Sequence, residues 1–139
     1  MVYLDTGCLV KPEPESAAVA AAVVGERIAF TALYELEIVT ALKLKAFRGE
    51  AEPEQVAAAI GLVEEDLGAG KLVESPVNWR SVFRGATHLA QAHAAVLGCR
   101  SLDTLHCAFA KALSPSSFLS SDERHLQLAR AAGLRVVAI

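Results

Sequence analysis

Residues Phe118 to Ile139, FLSSDERHLQLARAAGLRVVAI, carry the alternation that decides the fold. Phe118-Leu119 is a short apolar run of strand type, and Glu123 to Ala132 follows a helical pattern that Gly133 ends. Arg135 to Ile139 is then a second strand-like run. The same rhythm extends back to the start of the chain. Val2 to Leu4 is a β-type run, Pro12 stands where a first helical turn would begin, and Ser16 to Val24 continues as an Ala/Val helix ended by Gly25. Arg27 to Phe30 is apolar again. Thr31 then suits the N-cap of a helix carrying Leu33, Leu36, Glu37, Val39, Thr40, Leu42 and Leu44 up to Gly49. Pro53 opens a third helix, in which Val56, Ala59, Ile60, Val63 and Leu67 recur before Gly68 and Gly70.

Leu72-Val73-Glu74 predicts a short strand closed by Pro76. Asn78 or Ser81 caps a helix through Val82, Ala86, Leu89, Ala90, His93 and Val96 to Gly98, and Ser101 caps another from Leu102 to Ala112 that ends before Pro115. Short apolar strands alternating with helices predict one α/β domain over residues 1–139, its mainly parallel central sheet flanked by helices. Repeats, low-complexity tracts and linkers are absent from the sequence.

Composition narrows the function classes. At 139 residues the chain fits one domain, and 53% hydrophobic against 21% charged residues predicts a packed core rather than disorder. Its mean hydropathy of +0.37 is high for a small soluble domain and predicts either a thoroughly buried sheet or a lasting apolar interface. Ser16 to Gly25 and Gly85 to Cys99 are the longest uncharged stretches. Both fall short of the roughly 20 apolar residues of a spanning helix, so no membrane association is expected and the chain reads as cytoplasmic. Cys8, Cys99 and Cys107 have no CxxC or finger spacing and are read as small buried hydrophobes in a reducing compartment. The net charge of −3 lacks the basic footprint of a protein that grips long nucleic acid by charge alone.

Four acids stand at the ends or starts of apolar segments: Asp5, Glu37, Asp103 and Asp122. Carboxylates beside buried segments cost free energy unless something pairs with them, and a divalent cation is one such partner. In open parallel sheets functional groups gather beyond the carboxyl ends of strands. Asp5 ends the first strand and Asp122 lies just past Phe118-Leu119, so both belong to one sheet edge. Glu37, in the second turn of its helix, and Asp103, in a first turn, can point back toward it. Each acid has a plainer reading as well. Asp5 suits a turn or cap, Asp103 offsets a helix dipole, and Asp122 with Glu123 fits a capping box begun at Ser120. Glu37 is harder to explain away, since it stands between Leu36 and Ile38 in a mostly apolar helix, while Glu35 reads as the solvent-facing charge.

Taken together, the segments resemble the PIN-domain ribonucleases, in particular the small toxins of VapBC toxin–antitoxin pairs. LDTGCLVK resembles the family's opening strand, aspartate and Thr/Ser, which places the first acid at Asp5. TALYELEIVTALKLKAFRGE is similar to the segment with a glutamate four residues before a small residue and leucine, which is Glu37 before Ala41-Leu42; Glu35 does not fit. LDTLHCAFA carries Asp103, and FLSSDERHLQLARAAGLRVV resembles the last segment, giving Ser120 and Asp122. The resemblance spans nearly the whole chain, with four segments in order.

It implies a site of Asp5, Glu37, Asp103 and Asp122 that binds Mg²⁺ or Mn²⁺, with Thr6 and Ser120 orienting waters or carboxylates. It further implies endoribonuclease activity on an RNA substrate, a cognate antitoxin protein and, with the apolar surplus of the first and third helices, a homodimer. Two other classes are weighed against it. One is a PIN-fold scaffold that binds RNA or protein with little or no turnover. The other is a phosphoryl-transfer domain of the response-regulator or haloacid-dehalogenase type, which Asp5-Thr6-Gly7 disfavours because the DxD of the latter is absent. His106, three residues after Asp103, reads as a core or supporting histidine, and His88 with His93 forms no HExxH site. Lys11, Lys43 and Arg124 are candidates for RNA phosphates, and Trp79 for a packing anchor.

Overall fold

The computed structural model describes residues 1–11 and 15–139; Pro12, expected in a first helical turn, lies outside them. In chain order the elements are β1 (Tyr3–Leu4), α1 (Thr6–Leu9), α2 (Glu15–Ala22), β2 (Ile28–Phe30), α3 (Ala32–Phe47), α4 (Pro53–Gly68), β3 (Leu72–Glu74), α5 (Trp79–Leu97), α6 (Ser101–Leu113), β4 (Phe118–Ser120), α7 (Glu123–Ala131) and β5 (Val136–Ala138). The chain divides into two compact units, one of Met1–Asp5 with Pro76–Ile139, the other of Thr6–Ser75. The fold is α/β, and every strand pairing among the described residues is parallel.

In the first unit the strands lie in the order β1-β4-β5, with Leu4 beside Leu119 and Ser120 beside Ala138. Tyr3, Leu4, Phe118 and Leu119 are all buried, which is why these strands read as continuous apolar runs rather than alternations. Tyr3 stacks on Phe118 with ring centroids 5.5 Å apart. Helix α6 is buried from Asp103 to Ala110 and packs along α5. The two helices approach closely, since a Cβ on Gly85 would sit 3.7 Å from that of Ala108. Trp79 anchors the start of α5 by an edge contact with Phe109 at 4.9 Å. Asn78 is the N-cap, its side chain accepting from the Ser81 N–H, and Gly98 ends α5 in the left-handed region at φ 66°.

The second unit pairs β2 with β3 and packs α3 against α4. Thr31 caps α3 as expected, accepting from the Tyr34 N–H. The buried face of α3 runs through Leu33, Tyr34 and Ile38, a phase that includes Glu37 and leaves Leu36 on the other side, 64% exposed. Leu36 is therefore a surface residue of α3. Val96 is exposed as well, because the buried stripe of α5 ends at Leu89. The N-cap of α6 is Arg100 rather than Ser101. The single turn α1 carries no periodic signal and was not expected from sequence.

All three cysteines are free and buried, and burial pushes the Cys107 thiol up, consistent with inert packing. Among the described residues no helix is long and apolar enough to cross a membrane. Phe109 is fully buried whereas Phe47 is 86% exposed. Phe109→Ala should therefore cost about 3–5 kcal/mol in chemical denaturation, and Phe47→Ala should stay within about 0.5 kcal/mol of the parent.

Candidate active site

The register of β1 against β4 places Asp5 abreast of Ser120 at the carboxyl end of the sheet, and the Asp5 N–H donates to the Leu119 carbonyl at 2.8 Å. The Ser120 hydroxyl donates to Asp5 Oδ2 at 2.7 Å, and His125 Nδ1 reaches the same oxygen at 3.2 Å. An ionised carboxylate can only accept, so a hydrogen bond here requires a proton on His125 Nδ1. Burial works against charge on Asp5. The hydrogen bond and charge of His125, the hydrogen bond from Ser120 and the charge of His106 outweigh it and bring the Asp5 pKa down to about 2.

Asp103 is buried in the first turn of α6, where its Oδ2 accepts the Arg100 N–H at 2.7 Å. The Arg100 guanidinium adds Nε at 3.2 Å to Oδ2 and Nη2 at 3.3 Å to Oδ1. Burial would raise this carboxyl, but the side-chain and backbone hydrogen bonds of Arg100 hold it below the usual carboxylate range. Asp122 is the N-cap of α7, and its Oδ1 accepts from the Arg124 and His125 N–H groups at 2.9 and 3.3 Å. Its own N–H donates to Ser120 Oγ at 3.0 Å. The plainer cap reading therefore does describe what Asp122 does. Asp122, rather than Ser120, caps the helix.

One histidine senses all three of these acids. Burial alone would lower His125, yet its hydrogen bond and charge interaction with Asp5, followed by the charges of Asp103 and Asp122, raise it. Arg100 is raised chiefly by Asp103 and more weakly by Asp122 and Asp5. The first unit thus gathers Asp5, Asp103 and Asp122 within one electrostatic neighbourhood. Glu37 belongs to the second unit. There it is half-buried, and its Oε2 accepts from the hydroxyl of the buried Thr6 at 2.8 Å, while Glu35 is exposed.

Among the other polar residues, His106 is buried with Nδ1 2.8 Å from the Tyr3 hydroxyl. His125 and Arg100 were not anticipated from sequence. His125 was legible in principle, since it lies one turn after Asp122 and in phase with the buried Leu126, Leu128 and Ala129. Arg100 looked like a surface charge just outside a helix, and nothing in its local pattern announces the contact with Asp103.

The PIN domain family matches residues 2–133, nearly the entire chain. The chain belongs to the PIN domain family. No curated protein matches it by sequence. In fold, this PIN domain is similar to a chain in the crystal structure of FitAcB from Neisseria gonorrhoeae, with a TM-score of 0.58 and 17% identity over 98% of this chain and 96% of that one. An identity that low speaks for shared architecture alone.

The donor set of this PIN domain is chemically suited to a hard divalent cation. Asp5, Asp103 and Asp122 offer carboxylate oxygens, and Mg²⁺ commonly uses only one or two carboxylates while keeping several waters. Among the described residues no group of three or more His, Cys, Asp or Glu side chains is disposed to hold a metal by itself.

Asp5 also sets a pH dependence. Its folded pKa lies below the ordinary 3.8, so the stability it contributes is present above about pH 4 and is lost as pH falls through about 2. The shift corresponds to about 2 kcal/mol. Urea titrations between pH 5 and 2 should show the wild type losing about that much more stability than Asp5→Asn. Parallel profiles for the two proteins would contradict the pairing.

Proposed function

We propose that this PIN domain is a divalent-metal-dependent endoribonuclease and the toxin of a type II toxin–antitoxin pair. The observation that carries the reading is the convergence of Ser120 and His125 on Oδ2 of the half-buried Asp5 at the carboxyl end of β1, which favours its charged form. A carboxylate kept charged in a partly buried place is suited to binding a cation.

In this proposal Asp5, Glu37, Asp103 and Asp122 form the acidic set. Asp5 binds the cation with its orientation fixed by Ser120. Asp103 is a ligand once the exposed Arg100 side chain yields its place, and that guanidinium is then free to contact an RNA phosphate. Asp122 holds the first turn of α7 and acts through water or through the helix it caps. Glu37 enters on its sequence segment, with Thr6 restraining its carboxylate. When bound, Mg²⁺ or Mn²⁺ would supply a water of lowered pKa and neutralise charge developing on the scissile phosphate.

The proposed partners are RNA, a cognate antitoxin protein and a second copy of the chain, and the proposed compartment is the cytoplasm. Support for a protein partner comes from large apolar side chains left at the surface, among them Phe47, Leu62 and Val24 in one unit and Phe83 and Val96 in the other. A scaffold without turnover is the second reading.

Asp5→Asn, Glu37→Gln and Asp103→Asn should each reduce Mn²⁺-dependent cleavage of a structured RNA at least about a hundredfold while the far-ultraviolet circular dichroism is unchanged. Glu35→Gln should leave cleavage unchanged. Wild-type rates in the first three would overturn the site assignment. Millimolar Mg²⁺ or Mn²⁺ should raise the Tm of the wild type but not that of Asp5→Asn/Asp103→Asn. Metal-independent melting together with undetectable turnover would favour the scaffold. Light scattering should report a dimer, and a monomer across a wide concentration range would remove that partner.

A further inference from the structure

His125 is placed with more constraint than a packing residue needs. It stands in the first turn of α7, where Asp122 captures its N–H and so fixes the turn. Its ring is 3% exposed, makes an edge contact with Phe118 at 4.9 Å, and lies 5.9 Å from the ring of His106, which Tyr3 holds from behind. Nδ1 reaches Asp5 Oδ2, while Nε2 has no hydrogen-bond partner among the described residues. Leaving a buried ring nitrogen unsatisfied costs free energy. A phenylalanine would fill such a place without that cost, so the imidazole is explained by what its other nitrogen does at Asp5.

We propose that His125 is a positioning residue for the candidate metal centre, fixing the Asp5 carboxylate through Nδ1–H so that it meets a divalent cation in one orientation. The inference rests on the metal-dependent reading above. Ser120 and His125 approach the same oxygen from β4 and α7, and two donors from separate elements restrict rotation about the Cβ–Cγ bond more than either alone. Partners of this kind typically change metal affinity 10–100-fold when removed.

The test is calorimetric titration of the full chain with Mn²⁺, comparing His125→Asn, whose amide nitrogen can stand near the Nδ1 position, with His125→Gln, which carries the amide further out, and with His125→Phe, which keeps the ring volume. Wild type and His125→Asn should bind within about threefold of each other, whereas His125→Gln and His125→Phe should bind about 10–100-fold more weakly. Equal affinity of the wild type and His125→Phe overturns the proposal while leaving the metal reading intact. An absence of Mn²⁺ binding by the wild type overturns the metal reading and the proposal with it. Long-range ¹H–¹⁵N correlation spectra of the wild type provide a check that depends on no variant folding. His125 should carry a proton on Nδ1, and a neutral ring protonated on Nε2 alone would overturn the tether to Asp5.

Discussion

A carboxylate that is mostly withdrawn from water must either take up a proton or find donors, and Asp5 takes the second course. Parallel pairing of β1 with β4 brings Ser120 alongside it, and the turn into α7 brings His125. Neither donor is close to Asp5 in sequence, so the contacts that stabilise its charge in this place form only when both strands and the helix are in place. Folding and the charge of the candidate site are thereby coupled. The same pairing determines what else assembles nearby, since Asp122 bonds to Ser120 and caps the helix that carries His125.

Asp103 reaches its charged state by a different route. Its carboxylate accepts the N–H of Arg100, the N-cap of α6, and receives a guanidinium from the same residue, whose side chain is largely in water. Asp5 is held by buried groups that cannot leave without local unfolding, while Asp103 is held in part by one that can. The difference suits a site in which one acid is fixed and another exchanges its partner when a cation or RNA arrives.

Much of the fold could be read from sequence because its signals were local. Thr31, Asn78, Pro53 and Gly98 punctuate helices in the way their backbone preferences require, and the buried strands appear as short apolar runs. Which apolar helix positions are covered was not local. Leu36 and Val96 fit a helical stripe in the sequence, yet whether a stripe is covered depends on which neighbours lie against it. Of the candidate site, the order and type of the acids were legible, as was the partnership of Thr6 and Ser120 with carboxylates in general. Which carboxylate each would hold was not, because Thr6–Glu37 and Ser120–Asp5 are contacts of large sequence separation. His125 and Arg100 escaped notice for the same reason, each having meaning only through an acid supplied by the folded chain.

The central claim is that Asp5 is a held, ionised carboxylate that takes a divalent cation. Crystals grown with Mn²⁺ and measured near the manganese absorption edge test it most directly. The account predicts an anomalous peak within coordination distance of an Asp5 carboxylate oxygen, with the contacts from Ser120 and His125 to Oδ2 retained. A crystal saturated with Mn²⁺ that binds the ion elsewhere and leaves Asp5 without it would contradict the account.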